Sequence, residues 1–260
     1  MMLLAALAVA VPAFAQAPGA DQVADVLAKS KGTWVTTKMP DGTNVKIWQV
    51  LPESSAKTGV VLVIHENQGL NDWPRAVADQ LARDGFIALA VDMLSGMGPG
   101  GGGTAELGAG AGQAIRNVTP DMAKARLDAA MAYGKTLPQS NGKTATIGFC
   151  WGGGQSFRYA VAQPELNAAV VYYGPSPDLA ALSSVRAPVL GLYGGNDNAR
   201  INGSIEPVSA EMKKLGKSHT FHIYEGAGHG FLRQQNQPAN ATASQQAWPA
   251  TLSFLREHLK

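Results

Sequence analysis

The sequence has one cysteine, Cys150, in 260 residues, so no disulfide can form within the chain. It is also poor in charge. Asp, Glu, Lys and Arg make up 15% of it, against roughly 25% in an average globular chain. The 21 basic residues nearly cancel the 19 acidic ones, and no Lys/Arg cluster occurs, which argues against a nucleic-acid interface. With 45% hydrophobic residues and a net charge of +2, intrinsic disorder is excluded. No internal repeat, dividing linker, Cys/His ligand spacing, dinucleotide fingerprint or phosphate loop is present, so neither a metal nor a cofactor is expected. No apolar run reaches the roughly 20 residues that span a bilayer.

What is there begins with an uncharged apolar run, Met1 to Phe14, ending in Ala13-Phe14-Ala15. This reads as a signal peptide over residues 1–15, cleaved after Ala15, although no Lys or Arg precedes it. Export to a periplasm is expected, with residues 16–260 as a single domain and no stable membrane insertion after cleavage. A lone thiol kept in an oxidising compartment asks for a chemical reason.

The hydrophobic pattern supplies the frame. A short helix near Asp21 to Lys29 precedes two alternating segments, Thr33 to Met39 and Thr43 to Val50, joined by the turn Pro40-Asp41-Gly42. Continuous apolar runs follow, led by Val60 to Ile64 and Ile87 to Val91, as in parallel strands buried on both faces. Thr144 to Phe149, Ala168 to Tyr173, Val189 to Tyr193 and Thr220 to Tyr224 read as further strands. Helical periodicity covers Trp73 to Asp84, Pro120 to Lys135, Gly152 to Gln163, Ser204 to Leu215 and Gln245 to Leu259. This alternation predicts an α/β fold, a mostly parallel central sheet with helices on both faces and ligands at the strands' carboxyl ends. Ser95 to Gly112, with nine glycines, fits none of it and reads as a flexible surface insertion or a mobile flap.

Gly148-Phe149-Cys150-Trp151-Gly152, between a buried strand and a helix, has the nucleophile-elbow pattern with Cys in place of Ser. The turn would project the thiol at a helix N-terminus, where amide dipoles favour a thiolate; the plainer reading is a buried apolar cysteine. In an elbow hydrolase the acid and the histidine follow the nucleophile in that order, each after a late strand. Asp197, in Gly194-Gly195-Asn196-Asp197, and His229, in Gly226-Ala227-Gly228-His229, fall at those two places. Glu66 directly follows the strand Val60 to Ile64, in a loop where Asn67 N–H would join Trp151 N–H as an oxyanion hole. Tyr173, at a strand end, is a candidate pocket residue.

Together H-E-x-x-G-L, A-x-D, G-F-C-W-G-G, G-x-x-D and G-x-x-H-x-F resemble the dienelactone hydrolase family of the α/β-hydrolase fold, from roughly Thr33 to the C-terminus. The resemblance implies a catalytic set of Cys150, Asp197 and His229. It implies that Glu66 moves on substrate binding to deprotonate the thiol, and that Arg233 receives both that glutamate and a substrate carboxylate. It also implies a cofactor-independent hydrolase of a small ester or lactone, of the carboxymethylenebutenolidase type, expected to be monomeric. Family members acting on dienelactone carry a second arginine where this chain has Ser95-Gly96-Met97-Gly98. The reaction class therefore transfers better than the named substrate. A catalytically silent binding protein on the same fold and an acyl transferase are the competing readings.

Overall fold

A computed structural model describes residues 16–260; the signal-peptide expectation falls on residues 1–15, outside the described residues. Eight strands form one sheet: β1 (Thr33–Lys38), β2 (Asn44–Val50), β3 (Thr58–Ile64), β4 (Ile87–Val91), β5 (Ser140–Phe149), β6 (Ala168–Tyr172), β7 (Val189–Gly194) and β8 (His219–Tyr224). Their spatial order is β1-β2-β4-β3-β5-β6-β7-β8. β1/β2 and β2/β4 pair antiparallel; every later pair is parallel. The mostly parallel sheet expected from the apolar runs is present.

The helices in chain order are α1 (Val23–Ala28), α2 (Asp72–Arg83), α3 (Thr104–Leu107), α4 (Ala111–Ala114), α5 (Pro120–Thr136), α6 (Trp151–Ala162), α7 (Ala199–Lys214) and α8 (Pro238–Leu259). Successive strand residues point to opposite faces, and each central strand supplies two cores. Val61 and Val63 pack with Trp73, Val77 and Leu81 of α2 and with Trp248 and Leu252 of α8. Val60, Leu62 and Ile64 pack with Leu127 of α5, Phe157 of α6 and Ile205 of α7. Burial on both faces explains why β3 and β4 have no polar alternation.

Three boundaries differ from the sequence pattern. α7 begins at Ala199, where the Asn198 side chain accepts from Ile201 N–H, and carries Pro207 inside it. α8 begins at Pro238, with its proline at the helix start; Asn, Thr and Ser in its first turns conceal its periodicity. The glycine-rich segment is not a featureless loop. It folds into short helical turns including α3 and α4, and Leu94, Ala111 and Ile115 form a small core of their own.

Candidate active site

The elbow turns on three glycines and one strained residue. Cys150 sits between β5 and α6 with φ 54° and ψ −117°, a backbone conformation that costs a non-glycine residue of order 1–3 kcal/mol. A Cβ on Gly148 would lie 2.0 Å from Gly152 O, and one on Gly152 would lie 2.4 Å from both Ile64 O and His65 O. One on Gly153 would lie 2.6 Å from Tyr172 O. Strand ends and helix therefore approach to backbone contact, and the side chain that emerges is Cys150, partly exposed. The Trp151 amide opens α6, beside the end of β3 that leads into Glu66 and Asn67.

Asp197 and His229 arrive from the neighbouring loops. His229 Nδ1 lies 2.9 Å from Asp197 Oδ2 and 3.0 Å from Oδ1. The carboxylate is fully buried while the imidazole is 38% exposed, so one ring edge remains open to the cleft. Backbone bonds tie the two loops together: Asn196 N–H donates to Ala227 O at 2.9 Å and Gly195 N–H to Tyr224 O at 2.8 Å. Asn240, buried on α8, accepts from Gly228 N–H and donates to Gln234 O, both at 2.9 Å, clamping the turn that carries His229. The His229 pKa is raised to about 9, first by hydrogen bonding to Cys150 and then by Asp197, against the opposing effect of burial. The ring is set to hold a proton beside sulfur.

Glu66 is not on the thiol. Its Oε2 accepts from Arg233 Nε at 2.8 Å, with the carboxylate side chain 12% exposed and the arginine 36%. Burial raises the Glu66 pKa, opposed by Arg233 and by His229. Its Oε1 lies 4.0 Å from the Cβ position on Gly230, so the carboxylate adjoins the His229 turn. Tyr173 leaves β6 with φ 38° and is fully buried. Its ring meets His229 edge-to-face at 5.1 Å, and its hydroxyl has no hydrogen-bond partner among the described residues. Burial raises the Tyr173 pKa well above 10, and the charges of Glu66 and Cys150 add to the rise. The phenol stays protonated and can only donate to an anionic partner as O–H.

Two features here were hidden in the sequence. His65 is fully buried; its Nε2 accepts from Met93 N–H at 3.1 Å, so Nδ1 carries the proton and donates to Glu66 O at 2.7 Å. This neutral ring fixes the backbone of the Glu66-Asn67 loop. Asp92 accepts from Thr104 N–H at 2.8 Å and Thr104 Oγ1 at 2.7 Å, while that hydroxyl accepts from Leu70 N–H at 2.9 Å. The glycine-rich segment is thus pinned to the same loop from the other side. Where family members acting on dienelactone carry the second arginine, Ser95 O accepts from Arg126 Nε at 3.1 Å and Nη2 at 2.7 Å. That guanidinium is buried, and its Nη1 has no hydrogen-bond partner among the described residues.

Residues 46–259 match the model of the dienelactone hydrolase family. The chain belongs to that family. A relative from Methylorubrum extorquens named "Putative carboxymethylenebutenolidase" is 27% identical over 235 residues, 86% of this chain and 80% of its own. Among solved structures, a dienelactone hydrolase-like promiscuous phosphotriesterase from metagenomic libraries aligns at TM-score 0.73 with 25% identity, covering 88% of this chain and 99% of its own. A dienelactone hydrolase from Anabaena variabilis aligns at 0.64 with 22% identity, over 88% of this chain and 99% of its own. The fold is the α/β-hydrolase fold, and family membership makes the chain an ester or lactone hydrolase by class.

Within this dienelactone hydrolase family member, chemistry and not volume marks the site. A cavity of about 560 Å3 lies between β1, the start of α2 and Thr104, away from Cys150 and His229. A cleft of about 440 Å3 opens instead beside Glu66 and Arg233. No group of three or more His, Cys, Asp or Glu residues able to hold a metal occurs among the described residues. His219 stacks on Phe157 and Phe221, each at 5.9 Å, as a packing residue of β8.

Proposed function

We propose that the chain hydrolyses a small uncharged ester or lactone through Cys150, His229 and Asp197, without a cofactor. The observation that carries this reading is the strained cysteine at the elbow beside an imidazole whose other nitrogen is held by a buried aspartate. His229 takes the thiol proton, and the thiolate attacks the carbonyl carbon. The Trp151 and Asn67 amides face the oxyanion of the tetrahedral intermediate. Protonated His229 gives its proton to the leaving alkoxide as the carbon–oxygen bond breaks, leaving an acyl-cysteine. His229 then takes a proton from water as the resulting hydroxide adds to the acyl carbon; the carbon–sulfur bond breaks to free the acid, and protonated His229 returns its proton to the departing thiolate. Asp197 orients the ring and balances its charge throughout.

Glu66 waits on Arg233. Turned away from it, a buried carboxylate of raised pKa is a second acceptor for the thiol proton. Because Arg233 already has this partner and Arg126 is buried against Ser95 O, an uncharged substrate fits better than a carboxylate-bearing one. Export to a periplasm and action as a monomer complete the proposal; the apolar run at residues 1–15 supports the first. Replacing Cys150 by Ala tests the whole reading. Turnover of an activated aryl ester such as 4-nitrophenyl acetate is expected to fall at least 1,000-fold, roughly 4 kcal/mol of transition-state stabilisation, with an unchanged circular dichroism spectrum. Retained turnover in that variant would remove Cys150 from the mechanism, and turnover absent from the wild type would leave the binding-protein reading.

A further inference from the structure

The family match begins at residue 46, yet the chain N-terminal to it reaches the candidate site. Residues 17–19 are buried although they belong to neither sheet nor helix. Four contacts hold this strap. Ala20 N–H donates to Arg233 O at 2.8 Å, and Trp73 Nε1 donates to Pro18 O at 2.9 Å. Gln235 Nε2 donates to Ala17 O at 3.0 Å, and Gln16 Nε2 donates to Gln235 Oε1 at 2.6 Å. The partners are the stretch from Arg233 to Gln235, which begins at the residue paired with Glu66, and the first turn of α2. The strap bridges them.

Its inner side lines the cleft of about 440 Å3 that reaches the candidate site at Glu66 and Arg233. Glu66, Gln68, Trp73 and Arg233 line one part of that cleft, and Ala20 and Val23 line the other. The charges are already matched, since Arg233 pairs with Glu66 and the lining Asp72 pairs with Arg75. What the strap adds is apolar and small: a methyl from Ala20 and an isopropyl from Val23, beside the edge of Trp73, whose indole packs on Phe149 and is 4% exposed. Such a wall gains from burying apolar surface of a ligand and itself offers nothing to an anion.

We infer that residues 16–23 are a specificity-determining wall of this enzyme, forming with Trp73 a subsite for an uncharged apolar group, such as an aryl or branched alkyl, on the ester substrate. The inference rests on the reading of Cys150 as the nucleophile that the cleft serves. The strap holds Arg233 through its carbonyl and thereby also sets where the Glu66 partner stands.

The test compares two alkylating reagents of Cys150, benzyl chloromethyl ketone and iodoacetamide, and takes the ratio of their rate constants. Ala20→Trp fills the subsite while keeping the backbone donor to Arg233 O, and Ala20 is exposed enough to accept the ring. Deleting residues 16–19 removes the Pro18 and Ala17 acceptors and releases the wall. In each variant the ratio is expected to fall about tenfold, and KM for 4-nitrophenyl benzoate to rise by a similar factor. Ratios within twofold of the wild type in both variants overturn the strap's role. If the deletion variant does not fold, Ala20→Trp decides alone. A wild type that turns over no ester but shows the tenfold drop in Ala20→Trp keeps the subsite and loses the hydrolase reading, so the two failures are separable.

Discussion

Arg233 holds Glu66 through an Nε–Oε2 contact of 2.8 Å, and this pair fixes where the part-buried carboxylate stands. Arg233→Met leaves the buried Glu66 without its cation. Losing a hydrogen bond to a charged, part-buried group costs about 2 kcal/mol, so the thermal midpoint at pH 7 is expected to drop by several degrees. Glu66→Gln in the same background is expected to restore most of the loss, because the uncompensated charge is then gone. Additive midpoints across the four proteins would show that the pair is not coupled.

The raised pKa of His229 makes stability depend on pH. Below its unfolded value of about 6.5, the ring is protonated in both states, and the full stabilisation from Cys150 and Asp197 is present. It is lost as pH rises through the folded value of about 9. The wild type is therefore expected to lose more of its thermal midpoint between pH 6 and pH 10 than His229→Gln does. The imidazole is also the group placed to take the thiol proton. His229→Gln is therefore expected to slow alkylation of Cys150 by iodoacetamide at pH 7 at least tenfold. Equal alkylation rates would remove the imidazole from the activation of Cys150.

The candidate catalytic residues were readable because an elbow hydrolase demands its residues at fixed places. An elbow needs Gly148 and Gly152 around its nucleophile, since backbone atoms occupy their Cβ positions, and a parallel sheet delivers Asp197 and His229 at adjacent strand ends. The elements that hold them left weaker traces. Asn240 and His65 are tied mainly to backbone atoms, which have no sequence signature. The strap at residues 16–20 meets partners 55 to 219 positions away. The glycine-rich segment reads as mobile from composition, and one of its anchors is a carboxylate, Asp92, that a local pattern cannot connect to Thr104.

Two glycine substitutions separate the elbow from the insertion. Gly148→Ala drives a methyl to 2.0 Å from Gly152 O, a backbone atom that cannot swing aside. It should cost more than about 4 kcal/mol, in the range of exceptional single mutations, and yield insoluble protein. Gly110→Ala meets nothing within 4 Å and sits at φ −76°. It should be neutral or stabilising by about 0.4–1 kcal/mol through the unfolded chain. Urea denaturation of soluble Gly110→Ala and the soluble fraction of Gly148→Ala check both. A soluble, active Gly148→Ala would contradict the close approach of strand and helix.

Thr104 is the joint between the glycine-rich segment and the loop that carries Asn67. Its hydroxyl donates to Asp92 Oδ1 and accepts from Leu70 N–H, so removing it takes one of two donors from that carboxylate oxygen and strands the Leu70 amide. Thr104→Val keeps the shape and removes both bonds, with an expected loss of about 2 kcal/mol in stability. Asp92 retains the Thr104 and Leu94 amides, so the segment should stay folded while the loop from Glu66 to Leu70 loosens. If that loop supplies the Asn67 oxyanion donor, kcat should fall about tenfold with KM within twofold, because such a donor acts on the transition state and not on the bound ester. Thr104→Ser restores the hydroxyl and should recover both kcat and stability. A drop in stability with kcat unchanged would reduce Thr104 to a fastening of the segment and move the second oxyanion donor away from Asn67.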